Sequence, residues 1–324
     1  MMEKEENIDI EEITIVIFAN SKAKLNLLDF SQLNLRFVSL NSTDLKVFLS
    51  KTQHDKDHFE DRNQKIFDEY KEKNLDIELF ALLPIDLSRK VDESSKHLIY
   101  ELLLVMYPSH LRYYAELYFQ LIDKNYLWWA GSTEWPITPS QDLKPLYFHD
   151  SQKEHINDFI NIYIRRKEKL KYLETIISSY LHSFTEYQYS HFSFISLCIS
   201  LEATTDGRNE LTYRIRRNCA IICGNSIDSS KNIFNAVDKI YKLRSSIVHG
   251  SKYDHEKVEK FMPYLRKLVS RLIIELISIN LKDKHILNGQ ITQIGFGNKE
   301  NLSDSYEFYE PDIHALPAIN NPLE

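Results

Sequence analysis

Glycine is scarce, at seven residues in 324, and no Gly-rich phosphate loop, nucleophile elbow or kinase-like motif set is present. Cysteine is scarcer still. Cys198, Cys219 and Cys223 are the only three, an odd count that does not build a disulfide framework. Cys219 and Cys223 sit four apart, on one face of an expected helix, and no second Cys or His pair follows at metal-ligand spacing. Buried thiols are the expected role, and no metal or other cofactor is expected. No uncharged apolar run reaches the roughly 18 residues that a membrane span requires. The first twelve residues, MMEKEENIDIEE, are acidic and polar, unlike a signal or transit peptide. A soluble, cytoplasmic chain with no membrane partner is the expectation.

Positive charge is also lacking overall. The formal net charge is −7, which argues against a uniformly basic nucleic-acid binder. The distribution is uneven, however. Residues 201–285 carry 16 Lys and Arg against 10 Asp and Glu, or +6, which leaves −13 for the rest of the chain. A basic C-terminal module on an acidic body suits a polyanionic ligand, and it equally suits a solvated helical surface. With 43% hydrophobic and 27% charged residues the composition is globular. Few glycines among many Lys, Glu, Leu and Ile favour a mainly α fold.

The first 147 residues read as a smaller α+β domain. ITIVIFA (13–19), LRFVSL (35–40) and DIELFALL (76–83) have the β-branched and aromatic content of short strands. The charged run over 51–73 suggests a loop and an exposed helix. Residues 94–123 read as helical, broken near Pro108, and an irregular proline-bearing stretch runs on to Phe148. From about 152 to 184 the spacing of Ile156, Phe159, Ile160, Tyr163, Leu170, Leu173 and Ile177 predicts one long helix. Further helices are expected at 188–204, 209–224, 230–246 and 254–281, which together make a bundle over 150–285. Residues 286–324 read as an extended tail.

One segment carries chemistry. In YKLRSSIVHG, Arg244 precedes His249 by five residues, and Gly250, the usual helix terminator, follows at once. On an unbroken helix five residues turn through about 140°, so the two side chains converge only if the helix ends or bends between them. The residue types suit cleavage of RNA by its own 2′-hydroxyl. A histidine titrates near neutrality and serves as base or acid. An arginine stays charged and grips phosphate oxygens through paired donors. A second histidine is needed, and a two-fold dimer supplies it. Spacing alone does not separate this reading from a helix C-terminus that attracts cations through its dipole.

FISLCISLEA, YRIRRNCAIICG and IYKLRSSIVHG, followed by a long final helix, resemble the Apea-like branch of the HEPN superfamily over roughly 150–285. The most specific match is the string Tyr-x-x-Arg-Ser-x-x-x-His-Gly at Tyr241, Arg244, Ser245, His249 and Gly250. The resemblance implies a HEPN-type helical bundle that dimerises. Many such bundles are metal-independent ribonucleases of toxin–antitoxin, phage-defence and related systems. It assigns Arg244 and His249 as the catalytic pair, with Ser245 beside them where active members often carry Asn, Asp or His. Some relatives instead serve as non-catalytic dimerisation and RNA- or nucleotide-binding modules. RNA, a second copy of the chain and an antitoxin or regulatory protein are the implied partners.

Supporting positions follow. Glu202 is expected to hold Arg216 or Arg217 across the bundle, or to orient Arg244. Tyr241, one turn before Arg244, is a candidate for base stacking, with ordinary packing the stronger reading. His54 and His58 have helical metal spacing but no third ligand. Trp128, Trp129 and Trp135 read as core more readily than as a ligand platform.

Overall fold

The computed structural model describes residues 10–40, 42–50, 78–122, 126–134, 143–184, 190–206, 209–250 and 252–307. Five strands and nine α-helices are found among them, so the chain is mainly helical with a small antiparallel sheet. Contacts divide the chain into two compact units. The first takes 1–98, 110–139 and 145–153; the second takes 99–109, 140–144 and 154–324.

In the first unit, β1 (Ile10–Ser21), β2 (Leu35–Ser39), β3 (Glu78–Pro84), β4 (Arg112–Ile122) and β5 (Tyr126–Glu134) make a sheet of order β2-β3-β1-β4-β5. All its pairings are antiparallel. Residues 15–19 of the central β1 are buried on both faces, and there its sequence is a continuous apolar run. Ile15, Ile17 and Ala19 join Val38, Leu83, Leu117 and Phe119 in one core. Phe18 meets Phe37 and Tyr113 edge-on, at 5.2 and 5.0 Å between ring centroids. The three strands expected from the sequence form here. The helix expected over 94–123 does not run that far. Helix α2 (Glu93–Met106) ends before Pro108, and β4 and β5 occupy the ground read as helix and irregular chain. The β4 sequence RYYAELYFQLI mixes helix formers with aromatics. Pairing with β1 on one side and β5 on the other decides the outcome, and a local reading contains neither.

Helix α1 (Thr43–Ser50) also belongs to this unit. The charged run over 51–73, with His54 and His58, lies outside the described residues, as does Trp135. Only the backbone of Trp128 and Trp129 is described, paired in β5 with Gln120 and Phe119.

The second unit is helical. It holds α3 (Lys153–Arg166), α4 (Leu173–His182), α5 (Ser190–Glu202), α6 (Leu211–Cys223), α7 (Ile227–Val248), α8 (His255–Ile279) and α9 (Lys284–Gln293). The long helix expected over 152–184 is divided at Lys167–Lys169. Five cations fall between Arg165 and Lys171. Like charges four apart weaken a helix by a few tenths of a kcal/mol each. The break lets Leu170 turn fully inward.

Helix α8 is buried all round from Leu268 to Ile279, as a central helix must be. Residues 99–106 of α2 are part of this unit through backbone acceptors. The Leu104 carbonyl accepts Tyr180 Oη at 2.7 Å, and the Val105 carbonyl accepts Ser270 Oγ at 2.6 Å. Gly224, between α6 and α7, has a packing reason: a Cβ there would lie 2.1 Å from Ser230 Oγ and 2.6 Å from the Ala220 carbonyl.

Where it is described, over residues 286–307, the expected extended tail is structured. α9 begins at an Asp283 cap and buries Leu287 and Ile291, while a 3-10 turn at Lys299–Leu302 buries Leu302. Lys299 and Tyr306 both bond the buried Glu275 of α8, and Glu307 pairs with Arg166 at 2.7 Å. Residues 308–324 lie outside the described set.

Candidate functional site

Helix α7 starts at Ser226, whose hydroxyl accepts the Ser229 N–H at 3.1 Å while Ser229 Oγ accepts the Ser226 N–H at 2.9 Å. Ile233, Ala236, Val237, Ile240 and Tyr241 form its buried stripe, at spacings of three, one, three and one. The helix runs unbroken through Val248 and is capped by His249, whose N–H donates to the Ser245 carbonyl at 3.0 Å. Gly250 then takes φ +66, where other residues are strained.

The expected helix end is therefore present, but it falls after Val248 and not between Arg244 and His249. The two side chains keep the rotation of about 140° that five helical residues impose. Arg244 turns inward. Its Nη2 lies 3.0 Å from Glu202 Oε1, with the two side chains 28% and 23% exposed. The contact is an ion pair without hydrogen-bond alignment, because Glu202 Oε1 and Arg244 Nε are both buried and neither has a hydrogen-bond partner. His249 and Ser245 are exposed, and neither side chain bonds any described residue. Within one chain the structure brings Arg244 to Glu202, not to His249.

Glu202 closes α5, and its partner corrects the pairing expected with Arg216 or Arg217. Arg216 instead bonds Asp238 at 2.9 Å and the Phe234 carbonyl at 3.2 Å, with its guanidinium 3.9 Å above the Phe234 ring. Arg217 donates to the carbonyls of Ile291 and Ile294 at 3.1 and 2.8 Å, satisfying the open end of α9. Both arginines tie helices together inside the unit. A carboxylate one helix away cannot be matched to the right arginine from sequence alone when three are available.

Tyr241 is packed and does not stand as a stacking ring. Its hydroxyl donates to the Cys198 carbonyl at 3.1 Å, and burial raises the phenol pKa well above its ordinary value. The three cysteines are buried free thiols, as the sequence suggested. Burial raises all three, Cys223 to about 12, so they remain protonated and unreactive at neutral pH.

Alongside Glu202 a shallow cavity of about 380 Å³ opens between α4, α5 and α9, lined by Tyr172, Thr175, Ile199, Ala203, Thr205 and Lys284. No local pattern marks it, because its walls come from three separate segments. Among the described residues no group of three or more His, Cys, Asp or Glu is placed to hold a metal ion, and no helix is long and apolar enough to cross a membrane. Comparison of the chain with protein-family models, with curated proteins and with solved structures gives no match.

Proposed function

We propose that the helical unit is a HEPN-type endoribonuclease that cleaves RNA by attack of its own 2′-hydroxyl and works as a homodimer. The observation that carries this reading is His249. Its imidazole stands exposed at the end of α7, makes no bond with any described residue, and follows a held arginine by five positions.

The proton balance sets the roles. The 2′-oxygen forms a bond to phosphorus, the bond from phosphorus to the 5′-oxygen breaks, and two protons move. One histidine accepts the 2′-hydroxyl proton and another donates to the departing 5′-oxygen. Arg244 binds the phosphorane oxygens through its fork of donors. Ser245, exposed beside it, supplies a further hydrogen bond. Every role falls to protein side chains, so the reaction needs no metal. One chain brings a single His249 and points it away from Arg244; a second copy across a two-fold axis contributes the missing acid and faces each His249 with an arginine. The biological setting that suits this activity is bacterial defence or growth control, held in check by an antitoxin or by the N-terminal unit acting as a regulatory element.

A non-catalytic RNA- or nucleotide-binding dimerisation module is the second reading, and one observation favours it: Arg244 already has a counter-ion in Glu202. The deciding experiment is RNA cleavage in EDTA by wild type, Arg244→Ala and His249→Ala. Cleavage by wild type alone supports the ribonuclease. Equal cleavage by all three assigns the activity to a different site. RNA binding without cleavage by any of them favours the binding module.

A further inference from the structure

Four aromatic rings sit together just beyond the Arg244/His249 segment. His191 and Phe192 open α5, and their ring centroids lie 4.3 Å apart. His191 is 6.4 Å from Tyr253, and Tyr253 is 4.6 Å from His255, the first residue of α8. The rings are tilted by 42°, 55° and 47° from one to the next, so they form a stepped surface and not one closed stack. Phe192 is 50% exposed, His255 is exposed, and His191 and Tyr253 are half-buried. An aromatic side chain that leaves half its surface in water contributes little to the core; Val248, at the end of α7, is similarly open at 47%.

Chain connectivity fixes the distance to the candidate site. Tyr253 follows His249 by four positions, so their Cα atoms are at most about 14 Å apart whatever path the loop takes. That is the reach of one or two nucleotides flanking a phosphate at His249. Lys252, exposed and with no ion pair to a described residue, lies between the rings and His249. The nearby Asp254 carboxylate is occupied, accepting the Glu256 and Lys257 N–H groups at 3.0 and 3.4 Å to cap α8.

We infer that Phe192, His191, Tyr253 and His255 form a stacking platform for unpaired nucleobases, so that single-stranded RNA is the ligand of this face. The inference rests on the proposal that RNA is the substrate. Exposed ring faces accept any unstacked base, whereas a duplex keeps its bases stacked on each other and offers no face. Lys252 meets the backbone phosphate on the side toward His249. The platform gives little sequence preference and a strong preference for loops and single strands.

The test is fluorescence anisotropy of a labelled oligouridylate of about twelve nucleotides, within the span of single-strand sites, on the full chain in EDTA and in a His249→Ala background. A duplex RNA of the same length is the comparison, and cleavage is read in parallel in the His249 background. Phe192→Ala and Tyr253→Ala each weaken oligouridylate binding by about tenfold, Phe192→Tyr restores it, and the duplex binds more weakly throughout. Phe192 and Tyr253 lie on the surface or half-buried, and a melting curve for each variant separates folding from binding. Unchanged affinity in both alanine variants, or no affinity of the parent protein for oligouridylate, overturns the platform. Binding that follows the predicted pattern without cleavage keeps the platform and removes the ribonuclease. Cleavage that is indifferent to both alanine variants does the reverse.

Discussion

Arg244 Nη2 lies 3.0 Å from Glu202 Oε1, joining the last turns of α7 to the last residue of α5. The two partners come from segments 42 positions apart, each keeping about a quarter of its side chain in water. The contact fixes the guanidinium beside the end of α5 and leaves 28% of the Arg244 side chain in water.

If the helical unit is the ribonuclease proposed above, replacing Glu202 by Gln acts on catalysis more than on binding. The amide keeps the shape but removes the charge that fixes the guanidinium. A misplacement of about 1 Å costs roughly 100-fold in rate. RNA cleavage by Glu202→Gln should fall by that order while oligonucleotide affinity changes little, and Glu202→Asp should recover part of the loss. Arg216→Ala is the contrast: it breaks the bond to Asp238 and lowers stability, without the selective loss of turnover. Steady-state kinetics and melting curves on the three variants check this.

The fold was legible where local pattern and tertiary contact agree. Strands β1, β2 and β3 and helices α5 to α8 were readable, because β-branched runs and the stripe from Ile233 to Tyr241 carry their own periodicity. The β4–β5 hairpin was not, because Ala115, Glu116, Leu117 and Gln120 are neutral or helix-favouring until β1 and β5 pair with them. The order over 286–307 is not legible in the sequence for a related reason. What holds Lys299 is Glu275, a side chain 24 positions away that no window contains. At the site, the helix end at His249 and Gly250 was legible from residue type, whereas the choice of Arg244 over Arg216 or Arg217 by Glu202 was a matter of three-dimensional placement.

The C-terminal segment is held by charge inside the core. Glu275 is fully buried and is shared by Arg271, Lys299 and the Tyr306 hydroxyl, the last at 3.1 Å. Removing one partner of a buried charge cluster costs about 3–5 kcal/mol. Lys299→Met should lower the unfolding free energy from denaturant titration by that order and speed amide exchange over 299–307. Surface Lys171→Met, whose contact with Glu174 is exposed, should change the unfolding free energy by no more than about 1 kcal/mol.

Alkaline pH should unfold the helical unit early. Six tyrosines (Tyr163, Tyr172, Tyr180, Tyr241, Tyr264 and Tyr306) and three cysteines have pKa values raised by burial from ordinary values of 10.0 and 9.0. Raised folded-state values mean that their contribution is complete below about pH 9. It falls as pH rises through 9 and 10, where the unfolded chain loses protons that the folded chain retains. Lys299 works in the opposite direction, since burial lowers its pKa from 10.5 and favours folding as pH rises, but it is one group against nine. Melting temperature should be flat from pH 7 to about 8.5 and drop steeply above about 9.5.

Gly224 is a packing requirement. Its φ of −79 suits any residue, but an added Cβ meets Ser230 Oγ and the Ala220 carbonyl inside van der Waals distance. Gly224→Ala should destabilise by about 1–3 kcal/mol. Adding Ser230→Gly should recover only part of this, because the backbone contact with Ala220 remains. Calorimetry on the single and double variants separates the two contacts.

The chemistry of the product ends tests the central claim most directly. An RNA of defined sequence is incubated with wild type in EDTA, and the ends are identified by mass spectrometry. Attack by the 2′-hydroxyl through His249 and Arg244 leaves a 2′,3′-cyclic phosphate on one fragment and a 5′-hydroxyl on the other, and His249→Ala yields neither. Fragments bearing 3′-hydroxyl and 5′-phosphate ends, or cyclic phosphate formed equally well by His249→Ala, would contradict the account.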